Sequence, residues 1–263
     1  MKKIFDIYAL IVLYNKKIEN SSSYKCIENN KNIKIIICDN SNEEFDNKEF
    51  IEKNGHAYLN MGGNKGLSKA YNRAIDHIKL KQGILCLFDD DTEIPDDYFT
   101  VLKKKIKEEK SDIYLPIVYD KLGIISPCLI SDGVRVNVIK SIEEVNDKNV
   151  TGINSGMAID LSVFENYRYD ESYFLDYVDH KFLKDMKKLR RKISIFNVAL
   201  NQQFSANENK NVDNSIQRYK IFKKDFRRFC NGNFRNKLYC EYFVLRTRFV
   251  KMIKLKSLKI LFK

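Results

Sequence analysis

The first half of the chain alternates short apolar runs with polar or amphipathic segments. The apolar runs are nearly continuous and rich in β-branched residues, which predicts strands over 4–13, 33–38, 56–59 and 84–88. The segments between them lie at 17–30, 43–53 and 64–80. Such an alternation of strand and helix predicts a mainly parallel sheet with helices on both faces.

The second half predicts a different arrangement. Pro95 favours a helix over 95–109, because proline is common in a first turn, and a strand is expected at 112–118. Short strands separated by Gly and Asn then predict a mixed or antiparallel layer between 120 and 160. A helix at 174–189 and a strand at 193–200 follow. We therefore expect one α/β domain over 1–213 with a helical extension over 214–263.

The charge is unevenly distributed between these two parts. The chain of 263 residues has a net charge of +12, yet residues 214–263 alone carry 15 Lys or Arg against Asp225 and Glu241. The preceding 213 residues are close to neutral, with a net charge of −1. Proteins that bind nucleic acid usually carry a basic patch on the folded body, so we expect no nucleic-acid partner.

The N-terminal region gives no sign of export or membrane insertion. Asp6 interrupts the first apolar run, no small-residue cleavage site follows it, and no stretch of 18 uncharged apolar residues occurs. These features predict a cytoplasmic protein. The six scattered cysteines are expected to be reduced thiols rather than disulfides or zinc ligands.

The strongest chemical signal is the sequence FDDDT at 88–92, directly after the apolar strand ILCLF. Three adjacent carboxylates repel one another unless a cation neutralises them, and oxygen ligands at the end of a strand suit Mg²⁺ or Mn²⁺. In open α/β sheets, ligands bind at this edge. The alternative is an acidic loop that caps the helix near Pro95, but a cap does not need three carboxylates.

Two further segments are weaker by themselves. CDNSN at 38–42 also follows a strand, and Asp39 could accept hydrogen bonds from a ribose hydroxyl or a base N–H, whereas Asn40 and Ser41 are ordinary turn residues. NMGGNKGLSKAYNRAI at 60–75 is rich in glycine but matches neither a Walker A loop nor GxGxxG.

As an ordered set, these segments resemble a known family. Asp39, the N-x-G-x-x-x-A-x-N stretch from Asn64 to Asn72, FDDDT, INSGMAI at 153–159 and YFLDYVDHKF at 173–182 are similar to the motifs of family 2 inverting glycosyltransferases. The resemblance covers about residues 5–205 and is nearest to the bacterial rhamnosyltransferase and galactofuranosyltransferase branch. It implies the GT-A fold, a Rossmann-like mixed sheet.

The resemblance also implies roles for individual residues. Asp39 matches the aspartate that contacts the nucleotide base, and the donor side would include Asn64, Gly66, Asp89 and Asp90. Asp89 and Asp91 match the outer members of the DxD motif, which bind the donor ribose and the metal. Asp179 matches the general base. The sugar and acceptor would lie near a last group of residues, namely Asn154, Ser155, Gly156 and Asp176.

The chain departs from the family pattern at two places. Val178 precedes Asp179 where the family often has a second acidic residue, and no histidine follows the last core strand. Gln202 or Gln203 would instead lie near the diphosphate. Read without the resemblance, Asp179 could also be a carboxylate that stabilises a helix N-terminus, and we expect the adjacent His180 to be a solvated helix residue.

The C-terminal residues predict an amphipathic basic helix. Apolar side chains recur at spacings of three and four along one face, and Lys and Arg fill the remaining positions; the apolar set is Phe234, Leu238, Tyr242, Leu245, Phe249 and Met252. This pattern is typical of a helix on an anionic membrane surface. The alternatives are a helix packed on the catalytic domain and a homodimer contact.

The sequence therefore predicts a peripheral membrane glycosyltransferase on the inner face of the membrane. It would use a divalent metal and a dTDP- or UDP-sugar to extend a glycan or polyprenyl-linked acceptor in cell-surface polysaccharide synthesis, such as capsule or O-antigen. A sugar-phosphate nucleotidyltransferase is a rival, although the N-terminal region lacks a glycine-rich basic loop. A membrane-binding module without activity is another, but it leaves FDDDT and Asp179 unexplained.

Overall fold

A computed structural model describes residues 5–79, 82–202, 211–257 and 259–260. Its strands are β1 (Ile7–Leu13), β2 (Lys34–Asp39), β3 (Ala57–Asn60), β4 (Ile84–Asp89), β5 (Ile113–Asp120), β6 (Gly123–Ser126), β7 (Cys128–Ser131), β8 (Arg135–Asn137), β9 (Val150–Thr151), β10 (Ala158–Asp160) and β11 (Ile193–Asn201). Its helices are α1 (Ser22–Ile27), α2 (Asn47–Lys53), α3 (Leu67–His77), α4 (Tyr98–Glu108), α5 (Val178–Lys188), α6 (Val212–Phe229) and α7 (Phe234–Leu255).

The main sheet has the strand order β11-β5-β10-β4-β1-β2-β3, with β6 paired to β5. Strands β1, β2, β3 and β4 are parallel, whereas β10 runs antiparallel between β4 and β5. A separate antiparallel sheet contains β8, β7 and β9. The predicted α/β fold, with a mainly parallel sheet and an antiparallel addition between 120 and 160, is confirmed.

Two apolar layers cover the two faces of the sheet. One layer includes Tyr24 of α1, Ile51 of α2 and Leu102 of α4, and the other includes side chains from α3, α5, α6 and α7. The helices on the second face therefore include the basic C-terminal extension, whose Tyr219, Phe226 and Val244 are buried. The extension packs against the sheet domain rather than standing apart from it.

Three element boundaries differ from the sequence prediction. The helix predicted from Pro95 begins at Tyr98, because residues 95–97 form a turn before it. The helix predicted at 174–189 begins at Val178, which leaves 170–177 as a loop. The tail predicted to be helical throughout is interrupted at 230–233 between α6 and α7. In the part of the chain that the structure describes, no helix is long and apolar enough to cross a membrane.

Candidate active site

The carboxyl ends of β1, β2 and β4 meet at one edge of the sheet. Asp39 pairs with Leu13 across β2 and β1, and Asp89 pairs with Val12 across β4 and β1. The strand order reverses here, since β2 lies on one side of β1 and β4 lies on the other. Such a switch point leaves a crevice where ligands bind in open α/β sheets. The CDNSN and FDDDT segments therefore share this edge, as the sequence predicted.

Asp89 lies at the centre of the edge and is half-buried. Its Oδ2 accepts hydrogen bonds from the hydroxyl of Ser155 and from Nε2 of Gln202, the latter at 2.9 Å. Burial raises the pKa of Asp89 to about 6; the bonds from Ser155 and Gln202 oppose the rise, and the charges of Asp91 and Asp90 add to it. A bound cation would relieve this electrostatic cost.

The other two carboxylates of FDDDT differ in their surroundings. Asp90 accepts a hydrogen bond from Nζ of Lys16 at 2.7 Å and another from the backbone N–H of Tyr14 at 3.2 Å. Burial raises the pKa of Asp91, and the charge of Asp90 adds to this, whereas Lys16 opposes it. Asp90 therefore links β4 to the loop after β1, and Asp91 keeps its carboxylate for other ligands.

The donor atoms at this edge fit a hard divalent cation. Asp89 and Asp91 supply carboxylate oxygens, and Oε1 of Gln202 is buried without a hydrogen-bond partner among the described atoms. Mg²⁺ commonly takes one or two protein carboxylates and fills its remaining positions with water and substrate phosphates. Across the described ranges, no three His, Cys, Asp or Glu side chains converge on a metal position. Gln203, the other glutamine expected here, lies outside the described residues.

The loop after β2 and the glycine-rich loop after β3 hold each other through side-chain amides. Nδ2 of Asn40 donates to Oδ1 of Asn64 at 3.1 Å, and Oδ1 of Asn40 accepts from the backbone N–H of Lys65 at 2.7 Å. Oδ1 of Asn42 accepts from the backbone N–H of Asn64 at 3.0 Å. The expectation that Asn40 is an ordinary turn residue is wrong, since it is buried and joins the two loops.

Asp39 is almost completely buried beneath these loops. Its Oδ2 accepts from Nδ2 of Asn47 and from the hydroxyl of Tyr58, both at 3.0 Å, and its Oδ1 accepts from the backbone N–H of Ser41 at 3.1 Å. An ionised carboxylate has about four acceptor positions. One position therefore remains for a nucleoside, and the contact with a base stays a prediction.

Two site glycines are explained by close backbone approaches. Gly66 has φ +90°, and a Cβ there would lie 2.6 Å from the carbonyl oxygen of Phe174. Gly156 has φ +73°, and a Cβ there would lie 2.6 Å from a methyl group of Leu200. A side chain at either position would meet both an unfavourable backbone conformation and a clash. Glycine at these two positions therefore allows the loops to pack closely against Phe174 and Leu200.

Asn154 and Tyr71 bring two parts of the site together. Tyr71 is buried on α3, and burial raises its pKa well above the usual value. The charges of Asp89 and Asp179 both add to this rise, and a hydrogen bond with Asn154 opposes it. The phenol therefore lies within electrostatic reach of both carboxylates. Oδ1 of Asn154 is buried without a partner in the described part of the chain, so this cluster has an acceptor to spare.

The structure places Asp179 and Asp176 at the start of α5 and in the loop before it. Asp179 is the second residue of the helix, and its Oδ1 accepts from the backbone N–H of His180 at 2.7 Å. This contact leaves most of its acceptor capacity free. The carboxylate of Asp176 is paired with both terminal nitrogens of Arg218, one of them at 2.7 Å.

Sequence reasoning missed several residues around this site. His180 is wrongly predicted to be solvated: its side chain is only 12% exposed, and its Nδ1 lies 2.8 Å from the hydroxyl of Thr151. Tyr71 carries no local signal, since an aromatic residue on an amphipathic helix usually belongs to the core. Arg218 lies 42 residues beyond Asp176, and Asp225 lies 50 residues beyond Leu175, so only tertiary structure could identify them.

A half-buried carboxylate at the switch point and two buried amide oxygens without partners in the described chain, those of Asn154 and Gln202, form a polar site at the ligand-binding edge of an α/β sheet. The Glycosyl transferase family 2 profile matches residues 9–159, which is more than half of the chain. The chain therefore belongs to glycosyl transferase family 2, and the family-level prediction is confirmed.

Individual relatives agree with this assignment. The chain is 27% identical over 180 residues to the dTDP-rhamnosyl transferase RfbF of Shigella flexneri; the match covers 66% of this chain and 60% of that relative. It thus spans about three fifths of the relative's length. TarS 1–349 of S. aureus superposes with a TM-score of 0.51 at 10% identity, covering 90% of this chain and 68% of TarS 1–349.

A second solved structure has a similar fold. GalNAc-T7 with UDP, GalNAc and Mn²⁺ superposes with a TM-score of 0.53 at 15% identity, covering 77% of this chain and 44% of GalNAc-T7. At these identities the likeness concerns the fold, which is GT-A.

Proposed function

We propose that this chain is an inverting glycosyltransferase that moves a sugar from a nucleotide-diphospho-sugar to a glycan or lipid-linked glycan. The product would be a cell-surface polysaccharide such as capsule or O-antigen. The observation that carries the proposal is the shared sheet edge, where β2 and β4 end in Asp39 and Asp89 on either side of β1. Ligands bind at such a switch point, and the amide oxygens of Asn154 and Gln202 have no partner there in the described chain.

In this mechanism, Asp179 takes the proton from an acceptor hydroxyl. The acceptor oxygen forms a bond to the anomeric carbon while the bond from that carbon to the diphosphate oxygen breaks, and the electron pair leaves with the nucleoside diphosphate. A single base is enough for inversion, whereas hydrolysis of glycosides commonly uses two carboxylates beside the bond. Asp179 suits this task because, among the described residues, one hydrogen bond from the His180 N–H occupies a single acceptor position of its carboxylate.

The donor side supplies binding and charge stabilisation. The loops joined by Asn40 and Asn64 would hold the nucleoside over Asp39, with Gly66 and Asp90 keeping the loops in place. Asp89 and Asp91, assisted by the Oε1 of Gln202, would hold a divalent cation, which when bound stabilises negative charge on the leaving diphosphate.

The acceptor side is the cluster around β10. Asn154, Ser155 and Gly156 would border the transferred sugar, with Asp176 near the acceptor. Ser155 also keeps Asp89 oriented through its hydrogen bond. Arg218 holds the Asp176 carboxylate, so we assign Asp176 an indirect role unless the acceptor displaces that ion pair.

The donor is proposed to be a dTDP- or UDP-sugar. The relative from Shigella flexneri is named a dTDP-rhamnosyl transferase, and TarS was solved in complex with UDP. Calorimetric titration of UDP and dTDP, each with and without Mn²⁺, tests this directly. We expect micromolar binding of one nucleotide that depends on the metal and is lost in Asp89→Asn. The exposed Asp96→Asn is the matched control, and absence of binding in every condition would refute the proposal.

We also propose that α7 places the enzyme on the cytoplasmic, anionic face of the cell membrane. Five side chains predicted to form an apolar face are between 50% and 80% exposed, and we call them the outer face of α7: Phe234, Leu238, Tyr242, Leu245 and Phe249. The sixth, Met252, packs against the core instead. The opposite side of the helix buries Cys240 and Val244.

Charge complementarity favours a lipid surface as the partner of this outer face. Arg235, Lys237, Arg246 and Lys254 are exposed on the same helix, and its one acidic residue, Glu241, is paired with Arg227. Each basic residue near an anionic leaflet contributes about 1 kcal/mol. A polyprenyl-linked acceptor would be presented at this surface.

Vesicle flotation distinguishes this partner from a second copy of the chain. We expect binding to vesicles that contain phosphatidylglycerol, weak binding to phosphatidylcholine alone, and loss of binding in Leu238→Glu with Leu245→Glu. Leu122→Glu, at a residue that is 95% exposed in the turn between β5 and β6, is the matched control. A homodimer that the double variant dissociates, with no vesicle binding, would replace the membrane with self-association.

A further inference from the structure

Asp225 is a buried carboxylate that the proposed mechanism does not use. It lies on α6, within the basic C-terminal extension, and its relative exposure is 0%. A buried carboxylate is costly unless hydrogen bonds compensate it. It accepts hydrogen bonds from the backbone N–H groups of three consecutive residues, at 3.1 Å from Phe174, 2.9 Å from Leu175 and 3.0 Å from Asp176.

These three N–H groups belong to the loop that leads into the proposed base. The loop ends at Tyr177, which has φ +63°, and Asp179 follows as the second residue of α5. Among the described residues no other group accepts from these three N–H groups, so Asp225 supplies the acceptor that they need. Hydrogen bonds to an ionised acceptor are roughly twice as strong as neutral ones. The position of the start of α5 therefore depends on a residue of the extension.

The same loop is held from its other side by α3. The carbonyl oxygen of Phe174 accepts from the backbone N–H of Leu67 at 2.7 Å, beside the close approach at Gly66. Farther back, Asn72 donates to the carbonyl oxygen of Tyr169 and accepts from its N–H, both at 2.9 Å. The loop is thus clamped between α3, which carries Tyr71, and α6.

A second residue of α6 contacts the same segment. Arg218 lies seven residues before Asp225, which is two helical turns and hence the same face. It pairs with the carboxylate of Asp176, while Asp225 accepts from the backbone N–H of that residue. Two residues of α6 therefore hold this loop. Asp225 binds its backbone, and Arg218 binds the side chain of Asp176.

We infer that Asp225 is a positioning residue for the transfer reaction, which sets the start of α5 and with it the carboxylate of Asp179. The inference rests on the proposed function of Asp179. It means that the basic extension completes the active site in addition to any role at a membrane. In the described residues Asp225 makes no hydrogen bond to the loops joined by Asn40 and Asn64, so we expect its loss to act on the acceptor side.

The test compares Asp225→Asn and Asp225→Ala with Ile216→Ala, a buried apolar residue of the same helix. We expect all three to lower the Tm. Well below their Tm, kcat should fall at least tenfold in Asp225→Ala and less in Asp225→Asn, with the Kd for the donor nucleotide changed less than twofold. Ile216→Ala should keep a normal kcat. Equal kcat in all three variants would overturn the positioning role and leave Asp225 as a stabilising residue.

Hydrogen exchange separates failure of this inference from failure of the proposed function. The amides of 174–176 should be protected in the wild-type protein and lose protection in Asp225→Ala, whether or not a transfer substrate is known. If the wild-type protein binds no nucleotide, the proposed function fails although the clamp remains. If protection is lost while kcat is unchanged, the function stands and the inference is wrong.

Discussion

The two sides of the sheet edge differ in how completely their polar groups are satisfied. On the donor side, Asp39 accepts three hydrogen bonds, Asn40 and Asn64 join two loops, and Asp90 is paired with Lys16. At the centre, Asp89 has a raised pKa, and oxygens of Asn154 and Gln202 are buried without partners in the described chain. The proposed donor side is a finished scaffold, because its polar groups are already paired with one another. The centre is unfinished, because the oxygens of Asn154 and Gln202 have acceptor positions that no group in the described chain fills.

In the proposed mechanism, this difference assigns binding of the donor nucleotide to the scaffold and the chemical step to the centre. A satisfied scaffold is already in its binding conformation, so it can hold a nucleoside with little reorganisation. Buried acceptors without partners and a carboxylate with a raised pKa both cost folding free energy. That cost is removed only when a cation or a substrate hydroxyl binds to them. Changes at the centre should therefore alter chemistry and metal binding, and changes in the scaffold should alter stability and donor affinity.

The largest effect is expected at the proposed base. Asp179→Asn removes the proton acceptor and should lower kcat by roughly 10²–10⁴-fold, the usual contribution of a general base, without changing donor affinity. Steady-state kinetics and nucleotide titration measure the two effects separately. Asp185→Asn, six residues farther along the same helix, should leave kcat close to normal. A normal rate in Asp179→Asn would remove this residue from the mechanism.

The sequence predicted the elements that local pattern controls. Strands β1, β2 and β4 are almost entirely apolar and buried, so their positions and the common edge for Asp39 and Asp89 follow from sequence alone. The sequence predicts helix over 174–177 because these residues have adequate helix propensity, while the conformation of the loop at 170–177 is decided by distant partners. Those partners, Asn72 and Asp225, have no periodic or motif signal linking them to it.

The C-terminal extension shows the same limit. Its charge and its outer apolar face were predicted, because spacing alone places Leu238 and Leu245 together. The opposite side of α7 is also apolar and packs on the core through Phe243 and Val244. When a helix is apolar on two sides, any one periodic set of its residues describes only one of those sides. The sequence pattern therefore identified the outer face of α7 but could not show that the opposite side packs on the core.

The second-largest effect is expected on metal binding at the centre of the site. Gln202→Ala removes the orphaned oxygen and should weaken Mn²⁺ binding about tenfold, as loss of one weak ligand would. Gln202→Glu should bind Mn²⁺ more tightly than Gln202→Ala, because a carboxylate oxygen is a ligand that Mn²⁺ prefers. Calorimetry or electron paramagnetic resonance measures both. Equal affinities in all three proteins would place Gln202 outside the metal site.

A pH dependence follows from Asp89. In the metal-free folded protein its pKa is about 6, above the usual value, so the carboxyl binds a proton more tightly folded than unfolded. Lowering the pH through 6 therefore stabilises the metal-free folded state, because Asp89 takes up a proton there that the unfolded chain does not. It also weakens metal binding, because this proton must leave the carboxyl before the metal can bind. We expect the Mn²⁺ affinity to be constant above about pH 7. Below pH 6 it should fall with a slope that approaches roughly tenfold per pH unit. A flat profile from pH 5 to 8 would contradict this.

The smallest effect is expected in the scaffold. Asn40→Ala removes the hydrogen bonds to Asn64 and Lys65 and leaves the part-buried backbone N–H of Lys65 without its acceptor, which should cost about 1 kcal/mol of unfolding free energy. Donor affinity should fall only a few-fold, and kcat at saturating donor should stay normal, because Asp179 is unaffected. Thermal unfolding and nucleotide titration check this, with the exposed Asn32→Ala as control. A large loss of kcat with donor affinity unchanged would mean that the loops joined by Asn40 take part in the chemical step, and the division between a finished scaffold and an unfinished centre would then be wrong.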